Sequence, residues 1–127
     1  MPINYKLIPR KNPIQKDEAK MYYASAVTTG KDTTNELALE IANNTTLGRP
    51  DIIGVLTALE EIIINRLRMG RKIDLLNICI LSPKVTSKGV DSPDAFNVNQ
   101  HIKQIGINIR PKQSLVNAIQ NAGLEKA

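Results

Sequence analysis

A chain of 127 residues, 42% of them apolar, is long enough for one domain with a modest core and short enough that a partner subunit would strengthen it. With no Trp, one Phe (Phe96) and three Tyr, the interior falls to Ile and Leu, and stacking on single-stranded nucleic acid is disfavoured. The net charge of +5 leaves a polyanionic partner open, whereas one cysteine (Cys79) excludes an internal disulfide and, with the single His101, supplies too few ligands for a four-coordinate zinc site.

Ile3, Tyr5 and Leu7 alternate with Asn4, Lys6 and Ile8, which predicts a short strand ended by Pro9. Arg10–Lys20 is polar and reads as a loop, Met21–Val27 as a second strand, and Thr28–Asp32 (TTGKD) as a turn. The opening 32 residues are therefore expected to form an added pair of strands ahead of a domain spanning 33–127. Thr33-Thr34-Asn35-Glu36 has the form of a capping box, in which a hydroxyl and a carboxylate satisfy free amides at a helix start, and a helix is expected to about Asn44. Pro50 and Asp51 suit the first turn of a second helix. Ile52, Val55, Leu56, Leu59, Ile62, Ile63 and Leu67 form its broad apolar face, and Gly70 ends it. The stripe is wider than one companion helix can cover.

Lys72–Leu81 is expected to be one strand whose phase slips, either through a β-bulge near Leu75-Leu76 or because both faces are buried. Ser82–Gln100, with Gly89, Pro83 and Pro93 among small polar residues, reads as a long excursion. Ile105, Ile107 and Ile109 then alternate with polar neighbours as a strand with one buried face. A last helix is expected from about Lys112 to Asn121, ended by Gly123. The amino terminus, MPINYKLIPRKNP, holds no apolar run of signal-peptide length, and nothing approaches the roughly 20 apolar residues of a membrane span, so a soluble cytoplasmic protein is expected.

The charge is segregated: residues 1–31 carry six cations against two acids, 32–65 one against six, and 66–127 ten against four. No nucleophile accompanies His101, no glycine-rich loop precedes a helix, and Glu60-Glu61 serve as a solvated helix face, so neither an enzyme nor a cofactor nor a small-molecule substrate is expected. Arg66, Arg68, Arg71 and Lys72 close the long helix, where its dipole welcomes positive charge. Arg110 and Lys112 stand instead where a strand becomes a helix, a place that disfavours cations and favours a bound anion. A solvent-facing strand residue is the lesser alternative for Arg110.

The order of helix hairpin, bent strand, excursion, return strand and short helix, with Ile109, Arg110, Pro111, Gln113 and Leu115 in IRPKQSL, resembles the bacterial histone-like DNA-binding proteins, HU and integration host factor. In that family the return strand ends in a Phe-Arg-Pro-Gly-Gln-Lys-Leu type segment. LGRPDIIGVLTALEEIIINRLRMGRKIDL resembles its second helix and first strand, and the first 32 residues resemble the extended N-terminus of an HU-like group of gut Bacteroidetes. The resemblance implies an α+β fold with helices beneath an antiparallel sheet, an intertwined homodimer, and a nucleoid-associated architectural protein. It further implies double-stranded DNA held through backbone and minor-groove contacts by Arg110, Lys112, Lys84, Lys88, Lys103 and Gln113. Two departures stand out. LLNICIL replaces the family's Gly-Phe-Gly-x-Phe, and the excursion lacks the Arg-Asn-Pro tip that carries the wedging proline. A protein-interaction or scaffolding module on the same fold is the alternative.

Overall fold

The computed structural model describes residues 2–10 and 20–127. In chain order the elements are β1 (Ile3–Arg10), β2 (Met21–Ala26), α1 (Thr34–Asn44), α2 (Arg49–Arg68), β3 (Ile73–Leu75), β4 (Cys79–Ser87), α3 (Val98–His101), β5 (Ile102–Pro111), α4 (Gln113–Gln120) and β6 (Leu124–Lys126), with a 3-10 turn at Pro93–Ala95. The fold is α+β. Its strands form two separate three-stranded sheets, and the chain divides into two compact units, Met1–Thr33 with Asn117–Ala127, and Thr34–Val116.

In the first unit β1 is the central strand. It pairs antiparallel with β2 from Tyr5 opposite Ala26 to Arg10 opposite Met21, and parallel with β6 over Ile3–Tyr5. The two added strands expected at the amino terminus are present, but Pro9 does not end the first of them. It sits opposite Tyr22, beyond the reach of the β6 pairing, where a residue without an N–H fits a ladder that is open on one side. The third strand, β6, escapes the sequence pattern. Gly123, at φ +80, turns the chain out of α4, and the bonds Ile3 N to Gly123 O (3.0 Å) and Ala127 N to Tyr5 O (2.9 Å) bracket the pairing. The loop expected over Arg10–Lys20 falls on residues 11–19, outside the described residues.

The second unit opens with the expected helical hairpin. α1 begins at Thr34, directly after Thr33, and ends at Asn44; α2 is capped by Gly48 with Pro50 in its first turn. At the other end of α2, Gly70 takes φ +81. Arg71 N bonds Arg66 O (3.1 Å) and Gly70 N bonds Leu67 O (3.0 Å), the paired closure that a left-handed residue after a helix provides. Ala38 on α1 and Ile52 on α2 are the buried apolar residues among those described.

Two expectations about the sheet are corrected. Lys72–Leu81 is a tight hairpin, not one bent strand: β3 and β4 pair antiparallel, Leu75 stands opposite Cys79, and Leu76–Ile78 make the turn. Leu76 holds φ 50 there and Ile78 N bonds Leu75 O (3.1 Å), so the phase slip in the sequence marks a chain reversal. The excursion expected over Ser82–Gln100 is shorter, because Ser82–Ser87 extends β4 against β5 and Val98–Gln100 is helical. The irregularity in register lies at Thr86/Ser87, which leaves Lys103 as the residue between Ile102 and Gln104 that has no partner opposite.

Ile105, Ile107 and Ile109 do alternate as predicted, but within one chain they are not buried: they are 76%, 54% and 65% exposed. On α2, Val55 and Ile62 are likewise more than half exposed. A single chain thus leaves the aliphatic faces of its long helix and its return strand largely uncovered.

Candidate nucleic-acid interface

Residues opposite one another in an antiparallel pair share a face, and alternate residues along a strand point to opposite faces. The register of β4 and β5 therefore sorts their side chains from Cys79 to Thr86 and from Gln104 to Pro111. Leu81, Pro83 and Val85 share one face with Ile109, Ile107 and Ile105. This apolar face is the one turned to α2, whose Ile64, Leu67 and Arg68 border an open groove of about 430 Å³ with Pro83, Ile105 and Ile107.

The other face carries Ser82, Lys84 and Thr86 from β4 and Gln104, Gly106, Asn108 and Arg110 from β5. Lys84 lies opposite Gly106, and a Cβ built on that glycine would sit 3.4 Å from Lys84 Cε, so the lysine stem crosses the sheet over the glycine. Arg110 is opposite Ile80, four residues from Lys84 and hence about 13 Å along the strand. Lys103 occupies the bulge, and Lys88 follows the end of β4, where its backbone N bonds His101 O at 2.7 Å. Arg110, Lys84, Lys103 and Lys88, all exposed, thus run in a file about 25 Å long down one hairpin.

Asp74 is the only acid in β3, β4 and β5. Its place opposite Ile80 puts it on the same face as Arg110, two strands away.

Lys112 stands apart from that file. Its ammonium forms an ion pair with Asp74 and donates to Leu76 O at 2.6 Å, and its side chain is only 24% exposed. Its backbone N donates to Ile78 O (2.9 Å), and Ser114 Oγ donates to Asn77 O (3.2 Å). All three carbonyls of the β3–β4 turn are therefore taken by the joint between β5 and α4. An ion pair with a 69% exposed carboxylate is worth about 0–1 kcal/mol, and each net hydrogen bond about 0.5–1.5 kcal/mol, so the hydrogen bonds hold this corner more than the charges do. Gln113, next in the chain, is engaged within the protein as well.

The segment joining β4 to β5 folds back on itself. Phe96 and His101 stack with ring centres 5.5 Å apart, Asn97 Oδ1 accepts from Asn99 N (2.9 Å), and Asn97 N donates to His101 Nδ1 (2.7 Å). His101 is thereby a structural residue of the loop, and Cys79 is a half-buried strand residue. The loop contains Asp91 and Asp94 and, between Gly89 and Gln100, no Lys or Arg. Among the described residues no cluster of His, Cys, Asp and Glu could hold a metal, and no helix is long and apolar enough to cross a membrane.

Over residues 1–126 the chain matches the family model HU-HIG, described as an HU domain fused to wHTH, Ig, or glycine-rich motif. It belongs to the HU-HIG family. The match takes in the added N-terminal strands as well as the HU-like portion. Among solved structures, the HU-HIG chain is similar to a presumed bacterial DNA-binding protein from Bacteroides vulgatus ATCC 8482, with a TM-score of 0.67 at 15% identity over 98% of this chain and 47% of that one. The chain therefore spans about half the length of this structural neighbour. No curated protein matches it.

The sequence sets Lys84 in the excursion, whereas it lies within β4, and gives little sign of Asp74, the partner of Lys112. An acid within the run of cations from Arg66 to Lys84 was the one available signal, and its partner lies 38 residues further on.

Proposed function

We propose that this chain binds double-stranded DNA as a homodimer, with little sequence selectivity, and that Arg110, Lys84, Lys103 and Lys88 contact the phosphates. The observation that carries this reading is the file of four exposed cations along the β4–β5 hairpin, Lys84 and Arg110 on one face of it, where the one acid of β3, β4 and β5 is already paired with a lysine. Membership of an HU family and likeness to a presumed DNA-binding protein support it. Phosphates lie along a duplex as a regular line of charge, and a line of flexible cations neutralises it without reading bases.

A second copy of the chain is the natural cover for Ile105, Ile107, Ile109 and Ile62, because one chain cannot bury both faces of a packed helix–sheet layer. The acid-bearing loop after β4 is poorly suited to enter a groove, so backbone grip is favoured over sharp bending. Such a protein belongs at the nucleoid. That same loop is the one feature that favours a scaffolding module, which would retain a protein partner after nuclease digestion.

Binding to two unrelated plain duplexes tests the reading. Dissociation constants within about threefold of each other are expected; binding to neither, at low salt, would remove DNA as the ligand.

A further inference from the structure

We propose that Lys112 is a positioning residue: it supports the DNA-binding face without touching DNA, by neutralising Asp74 and tying the β3–β4 turn to the start of α4. The inference rests on the DNA reading above and assigns Lys112 a place outside the phosphate contacts.

Its ammonium already serves Asp74 and Leu76 O, and its backbone N serves Ile78 O. Two of its three N–H donors are taken, so a phosphate that reached the third would have to sit beside the Asp74 carboxylate. That carboxylate is 69% exposed and shares its face with Arg110 across two strand spacings, about 10 Å, which is about one Debye length at 0.1 M salt. Freed of its lysine, it would repel the same polyanion that Lys112 had left it to meet. The charge gained at one atom is lost at the other, so the paired state is the one that leaves the face most positive around Arg110. The ion pair also holds the ammonium beside Leu76, the one described non-glycine residue with positive φ.

The test is a charge cycle on the full chain with a plain 30-base-pair duplex as probe, over a range of salt. Lys112→Met is expected to weaken binding about fivefold by exposing Asp74. Asp74→Asn with Lys112→Met is expected to return affinity to within about twofold of wild type with the salt slope unchanged. A double variant that stays as weak as Lys112→Met, with a slope reduced by about 0.9 per chain, would mean that Lys112 contacts phosphate and would overturn the proposal. Wild-type affinity in Lys112→Met would overturn it equally. Should Lys112→Met fail to fold, Lys112→Gln takes its place in the same cycle, with the same outcomes expected and the same ones refuting.

Melting of the same variants without DNA keeps the two readings apart. Non-additive shifts in Tm are expected, and additive ones would show that Asp74 and Lys112 are not coupled. If the wild type ignores the duplex, the DNA reading fails and the purpose assigned to the pair fails with it, while melting still shows whether the pair exists.

Discussion

Changing Lys84 and Arg110 together to Ala is expected to lower affinity for any duplex about a hundredfold at moderate salt. Each side chain stands on the face turned away from α2, exposed and without an acidic neighbour on its own strand pair. A cation that neutralises one phosphate releases about one counterion, so each loss lowers the slope of log K against log salt by about 0.9. In a dimer the double change removes four contacts, and the slope should fall by about 3 to 4. Fluorescence anisotropy on two unrelated sequences is the measurement. Loss confined to one sequence would point to base reading by these side chains, and an unchanged affinity would take them out of the interface.

The second large effect is expected at Ile107. It is 54% exposed in the single chain, lines the groove against Ile64 and Leu67 of α2, and stands between Ile105 and Ile109 on the apolar face of β5. Burying such a side chain is worth about 1.5–3 kcal/mol, and a carboxylate in the same place adds a desolvation cost of several kcal/mol. With both subunits changed, Ile107→Asp should convert a dimer to a monomer and lower its melting temperature, whereas Ile107→Leu should do neither. Sedimentation equilibrium of the three proteins checks this. A dimer that persists in Ile107→Asp would place the subunit contact elsewhere.

The helical hairpin was legible because its signals are local. Thr33 and Thr34 mark a helix start, Pro50 tolerates only a first turn, and Gly70 takes a φ that other residues avoid. The β3–β4 turn was illegible for the opposite reason. Leu76 occupies a left-handed position that Gly or Asn would normally advertise, so the reversal appeared only as a slip in apolar phase. A three-residue strand such as β6 has no periodicity of its own, and its pairing with Ile3–Tyr5 joins the two ends of the chain.

For the site, the identity of the cations could be read but not their grouping. Whether Lys84 and Arg110 share a face depends on the register that places them opposite Gly106 and Ile80. The bulge that sets Lys103 apart depends on that register too. Lys112 looked like a phosphate contact because a cation at a helix start lacks a local reason. The folded chain brings its ammonium to Asp74 and to the carbonyl of Leu76, 38 and 36 residues back in the sequence.

The most direct measurement is the salt dependence of duplex binding by the unmodified protein. Lys84, Lys88, Lys103 and Arg110 from two chains would release at most eight counterions, so a slope of log K against log salt between about −3 and −7 is predicted. An affinity indifferent to salt between about 50 and 200 mM would contradict the account.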